Sequence, residues 1–160
     1  MIYFFYGEND YEREQKIRAI RAKFTPENIT VLSLTDADLE LVSREIFGAD
    51  LFRSTKLFIL KDVFANADTR AFLEDFLANL NRLPDENSII LTDTKPDKRT
   101  KIFKDLLTRA TAQEFPPLKD YEHKKWLAGE VATRKLSLDA TAQNELVARK
   151  LGETNPQNAI

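Results

Sequence analysis

The sequence predicts a doubly wound α/β domain with a mostly parallel five-stranded sheet, followed by a small helical domain. Three observations lead there. Strand-like and helix-like segments alternate from residue 2 to residue 115. The first strand, Ile2-Tyr3-Phe4-Phe5-Tyr6, is apolar throughout, as expected when helices cover both faces of a parallel sheet. After Pro116-Pro117 the helical period continues with no strand between helices. The expected domains are residues 1–117 and 118–160.

Taken in order, Gly7 ends the first strand. Over residues 10–24, Tyr11, Ile17, Ile20 and Phe24 recur on one helical face, with Arg13, Lys16, Arg18 and Lys23 expected on the solvent side. Residues 29–34 read as the second strand. Residues 36–47 read as a helix that turns Leu39, Val42, Ile46 and Phe47 inward, with Asp36 or Thr35 as its cap. Gly48 breaks the pattern, a short segment follows over residues 49–54, and residues 56–60 make a third strand ending near Asp62. A helix over residues 67–83 stops before Pro84, because the residue preceding proline is pushed out of the helical region. Residues 88–92, 98–110 and 112–115 supply strand, helix and strand, joined by right-handed crossovers. Beyond them, residues 119–134 and 137–151 read as two helices, the second started by Ser137-Leu138-Asp139 and stopped by Gly152.

Composition narrows the chemistry. The 160 residues are 42% hydrophobic and 31% charged, enough for one substantial core. Cysteine is absent, which removes disulfides and thiolate chemistry, and the lone histidine, His123, excludes mechanisms that need two imidazoles. His123 and Trp126 are expected to pack and cap within the helical domain. A net charge of -2 gives no general attraction to phosphate, so DNA contact would need a local basic patch. Apolar runs are strand-sized, far short of the roughly 20 residues that span a bilayer. The first residues lack the basic leader of a secretory signal. A cytoplasmic protein without membrane contact is expected.

The turn Gly7-Glu8-Asn9-Asp10-Tyr11 stands where a nucleotide-binding α/β fold places its phosphate loop. It has one glycine and two acids, whereas a phosphate loop needs several glycines followed by Lys and Ser or Thr. The GxGxxG dinucleotide spacing is absent as well. Asp62 reads either as the acid that ends a buried strand or as the phosphoacceptor of a receiver-like signalling domain. In the second case Glu8 and Asp10 would hold magnesium, with Thr92 and Lys119 completing the site. A degenerate nucleotide-binding enzyme is a further alternative. No catalytic, cofactor or metal site is expected.

Two stretches stand out. Residues 95–104 carry Lys95, Lys98, Arg99, Lys101 and Lys104 around a helix start, a place that favours acids. They read as contacts to DNA or a neighbouring subunit, or as a solvated helix face. Leu51 and Phe52 lie among charged residues between Gly48 and the next strand. By spacing alone they read equally as a plug at the edge of the core or as an exposed apolar prong. At a partner's pocket the pair could contribute roughly 3 to 6 kcal/mol.

Four stretches in order carry a resemblance: Tyr3-Phe4-Phe5-Tyr6-Gly7-Glu8-Asn9-Asp10-Tyr11, Asp50-Leu51-Phe52-Arg53-Ser54-Thr55-Lys56-Leu57, Asp97-Lys98-Arg99-Thr100-Lys101-Ile102-Phe103-Lys104 and Lys125-Trp126-Leu127. Together they span nearly the whole chain, which resembles the front half of the delta subunit of the bacterial DNA polymerase III clamp loader. The resemblance implies an ATPase-like domain without a functional phosphate loop, then a lid-like helical domain. It also implies no enzymatic activity of its own, and a sliding clamp and other clamp-loader subunits as partners. Leu51 and Phe52 match the apolar pair that docks into the clamp and helps open its ring. The family continues beyond the position matching Ile160 into further lid helices and a collar domain, so the helical domain is expected to be incomplete. The basic stretch at Lys98, Arg99, Lys101 and Lys104 acquires no role from the resemblance.

Overall fold

In the computed structural model, residues 1–48 and 54–117 are described. They form β1 (Ile2–Tyr6), α1 (Asp10–Arg21), β2 (Ile29–Ser33), α2 (Leu39–Phe47), β3 (Leu57–Lys61), α3 (Ala67–Ala78), β4 (Ser88–Asp93), α4 (Lys101–Arg109) and β5 (Thr111–Glu114). The strands pair in the order β2-β3-β4-β1-β5, and every pairing is parallel. Met1–Pro116 is one compact unit. Segment 49–53, with Leu51 and Phe52, lies outside the described residues. So do residues 118–160, with the helices expected there, Lys119, His123 and Trp126.

Strand order and crossover handedness together place the helices. The connection from β1 to β2 runs one way along the sheet, past β4 and β3, while the three later connections run the other way. Right-handed crossovers then send α1 to one face and α2, α3 and α4 to the opposite face. The cores follow this division. Phe4, Phe58, Leu60, Ile89 and Leu91 meet Val42, Ile46, Phe72, Phe76, Phe103 and Leu106 on the three-helix side. Phe5, Leu57, Ile59 and Ile90 meet Ile17, Ile20 and Phe115 on the other. The apolar first strand is thus explained: Phe4 is 0% and Phe5 1% exposed, one on each face. Each such burial stabilises by roughly 1.5–3 kcal/mol.

Several boundaries differ from the sequence expectation, and at the starts of α2 and α4 a cap is the reason. The carboxylate of Asp38, not Asp36 or Thr35, accepts from the N–H groups of Glu40 and Leu41, so α2 starts at Leu39. Helix α1 ends at Arg21 instead of Phe24. Helix α3 ends at Ala78, and its expected last turn is a separate tighter turn over Leu80–Arg82. Helix α4 starts at Lys101 because the Thr100 hydroxyl accepts from the Phe103 N–H. Lys95, Lys98 and Arg99 therefore precede the helix, while Lys101 stays in its first turn, which holds no acid. The main side-chain correction is Arg13, expected in solvent but only 9% exposed.

Candidate functional site

Open α/β sheets bind ligands at the C-terminal edge, where neighbouring strands send their connections to opposite faces. Here that place lies between β1 and β4. It is filled from within. The Gly7 N–H donates to the Asp93 carbonyl at 3.1 Å. The Arg13 guanidinium donates to the Gly7 carbonyl and, at 3.5 Å, to the Asp93 carbonyl, and it pairs with the Asp10 carboxylate. The cation that replaces an incoming ligand's contacts is the protein's own.

The turn after β1 is closed in the same way. Gly7 has φ +121°, a region that L side chains rarely adopt, and an added Cβ would lie 2.1 Å from the Phe115 carbonyl oxygen. The Asn9 N–H donates to that carbonyl at 3.0 Å, the Asp10 N–H to Glu8 at 3.1 Å, and the Phe115 N–H to Tyr6 at 2.7 Å. Backbone amides at 7, 9 and 10, which a phosphate loop would aim at its ligand, already face protein carbonyls. The Asn9 side-chain oxygen caps α1 at the Glu12 N–H. Its side-chain nitrogen is buried without a partner among the described residues.

The loop between β4 and α4 is tied across this edge by surface charge pairs. Lys95 reaches Glu8 at 3.0 Å, and Lys98 reaches Glu114 at 2.6 Å while lying 5.4 Å from the centre of the Tyr6 ring. The bond to Glu114 raises the Lys98 pKa above its ordinary value. Burial, then the negative Glu114, raises that of the Tyr6 hydroxyl. Arg99 is engaged by Asp97 at 3.0 Å. Of the five cations singled out from sequence, Lys95, Lys98 and Arg99 are thus paired. Lys101 and Lys104 are exposed on α4 with no ion pair among the described residues.

Asp62 stands at the end of β3 with φ 60°, and its carboxylate accepts from the Ser33 hydroxyl. In the flavodoxin-like order typical of receivers, β1 separates β2 from β3. Here β4 separates β3 from β1, so Asp62 does not neighbour the Glu8–Asp10 turn. The receiver alternative fails on topology. Thr92, its other described member, is 4% exposed within β4. No cluster of three or more His, Cys, Asp or Glu residues able to hold a metal occurs among the described residues. No helix among them is long and apolar enough to cross a membrane.

Leu51 and Phe52 themselves lie outside the described residues, yet the chain on either side of them is well held. Gly48 leaves α2 with extended backbone, and an added Cβ would lie 2.7 Å from the Arg44 carbonyl oxygen. Phe47 packs against Phe76, with Arg82 over its ring. The end of α2 at Phe47 and the start of β3 at Leu57 both lie at the N-terminal edge of the parallel sheet, opposite the closed crevice. A surface groove of about 660 Å³ between α2 and α3 reaches Phe47 and Gly48. Sequence reading missed three residues that organise these places. Arg13 could have been found, because 13, 17 and 20 share one helical stripe; Asp93 and Asn87 act through pairings no sequence pattern displays.

Fold and site together define an ATPase-like α/β domain whose ligand crevice is closed by its own side chains. The family model for DNA polymerase III, delta subunit, matches residues 3–115, and the chain belongs to that family. Among solved structures it is similar to the DNA clamp loader delta protein YqeN of Bacillus subtilis. That match has a TM-score of 0.63 and 18% identity over 91% of this chain and 47% of the other. The chain therefore spans about half the length of that protein. It is also similar to domain III of the Thermotoga maritima replication initiation protein DnaA (TM-score 0.57, 13% identity, 91% of this chain and 67% of the other). A third likeness is to replication initiator DnaA bound to AMPPCP and single-stranded DNA (TM-score 0.57, 16% identity, 91% and 49%). At these identities the structures establish the fold. No curated protein matches the chain.

Proposed function

We propose that this chain is the clamp-engaging part of a clamp-loader subunit. It binds the DNA sliding clamp through Leu51 and Phe52 and helps open the ring during replication, without enzymatic activity of its own. Membership of the delta family carries the reading, since the match runs through the Leu-Phe segment. The closed crevice supports it, because a domain with its amides committed at the phosphate position is left with contact surfaces as its means of action. Residues 118–160 then belong to a lid-like domain, and other loader subunits are further partners. Binding opens a ring only if the pair fits the open interface better than the closed one, and the shift cannot exceed that difference in affinity. Nucleotide would act through partner subunits that control access to the pair. A DNA contact within the complex falls to Lys101 and Lys104.

The test is titration of this chain against the clamp of its own organism, with Leu51→Ala plus Phe52→Ala as the comparison. The intact chain should bind, and the double variant should bind at least about a hundredfold more weakly, as expected on truncating two anchors. No binding by the intact chain, or equal binding by both, overturns the proposal.

A further inference from the structure

The two ends of segment 49–53 are held by one pair of consecutive residues. On the α2 side, the Asn87 carboxamide donates to the Ile46 carbonyl at 2.9 Å, in the last turn of the helix. The acceptor is a carbonyl, so the NH2 end of Asn87 must face it. On the β3 side, the Ser88 N–H donates to the Lys56 carbonyl at 2.8 Å, and Leu57 stands opposite Ser88 in register. Both stems are therefore fixed to one short stretch of chain.

Asn87 is built into that stretch through its side-chain NH2, its backbone N–H and its backbone carbonyl. It is 3% exposed. Its N–H donates to the Pro84 carbonyl at 3.0 Å, closing a turn, and its own carbonyl accepts from the Met1 amine at 2.8 Å beside β1. Burying a carboxamide is costly unless it is bonded, and an apolar side chain would fill the same space more cheaply. What the carboxamide adds is a hold on the end of α2. One residue further, the tight approach of Gly48 to the Arg44 carbonyl fixes the direction in which the chain leaves.

We propose that Asn87 is a positioning residue for clamp binding. It fixes the separation and exit direction of the two stems, so that Leu51 and Phe52 meet the clamp with less conformational freedom left to lose. This rests on the reading of Leu51 and Phe52 given above.

The test uses the whole chain in the same clamp titration. Asn87→Leu keeps the branched shape and removes the donor, and Ser88→Pro removes the N–H that holds Lys56 at a strand start, where proline is tolerated. Either folded variant should bind the clamp about five- to twentyfold more weakly, through less favourable entropy. A positioning role also requires non-additivity: Leu51→Ala should cost less in the Asn87→Leu background than alone. Should Asn87→Leu fail to fold, Ser88→Pro carries the same comparison. Wild-type affinity in the folded variants, or strict additivity with Leu51→Ala, overturns the inference while leaving the Leu-Phe contact intact. If the Leu51→Ala plus Phe52→Ala chain binds like wild type, the underlying reading has failed instead.

Discussion

At the scale of single residues, Arg13 changes how the first turn is understood. A charged residue in the stripe 13, 17, 20 was legible as an anomaly, because its helical neighbours on that face are Ile17 and Ile20. Its partners were not legible, since the Gly7 and Asp93 carbonyls meet only when β1 pairs with β4. Two effects compete in its value. The pair with Asp10 is partly solvated, Asp10 being 71% exposed, so that bond alone should contribute less than about 1 kcal/mol. The bonds to buried carbonyls matter more, since their loss strands acceptors away from water. Arg13→Met should therefore destabilise the chain by about 2 kcal/mol, or roughly 8 °C in Tm, with Arg13→Lys recovering part of the loss. Asp10→Asn should shift Tm far less. Thermal melts of the three variants decide it, and an Asp10→Asn loss equal to that of Arg13→Met would mean the ion pair dominates.

At the scale of elements, the strands and helices were readable because their apolar periods are strong, and their ends were less so because several residues could serve as caps. Thr35, Asp36 and Asp38 are all chemically able to start α2; the structure uses Asp38 because the turn at 33–36 is closed first by the Asp36 N–H on the Ser33 carbonyl. The same uncertainty blurred α4. Read as helical from residue 98, the basic stretch looked like one patch of equal cations. With Thr100 as cap, it divides into Lys98 and Arg99, bonded to Glu114 and Asp97, and the exposed Lys101 and Lys104. A phosphate contact by α4 should then rest on the last two. Changing both to alanine should weaken DNA binding by this chain and reduce the slope of log affinity against log salt by about 2. Lys98→Ala should change it little, because that cation must first leave Glu114. Binding that is undetectable at low salt, or insensitive to Lys101 and Lys104, would remove DNA from the partners of this element.

At the scale of the whole molecule, local periodicity announced a doubly wound fold but carried no information on lateral strand order, which is set by non-local pairing. That order decides function here. By placing β4 between β3 and β1, it separates Asp62 from the first turn and puts the ligand crevice between Gly7 and Asp93. Open α/β sheets hold ligands in such a crevice, and in this chain the backbone amides and the cation there already have partners within the protein. The amides at 7, 9 and 10 are bonded to carbonyls, the local cation is committed, and Glu8 and Asp10 would stand against the phosphate charge. A nucleotide would have to break these contacts before making its own. The expected outcome is that millimolar ATP with magnesium leaves Tm unchanged. A ligand present at a hundred times its Kd would stabilise the chain by about 2.7 kcal/mol, well within the reach of a melting curve. Arg13→Met should not confer binding either, because it frees the crevice of its cation without releasing a single amide of the turn. A saturable rise in Tm with ATP in the wild-type chain would show that the first turn can reopen, and the alternative of a degenerate nucleotide-binding enzyme would then displace the non-enzymatic reading.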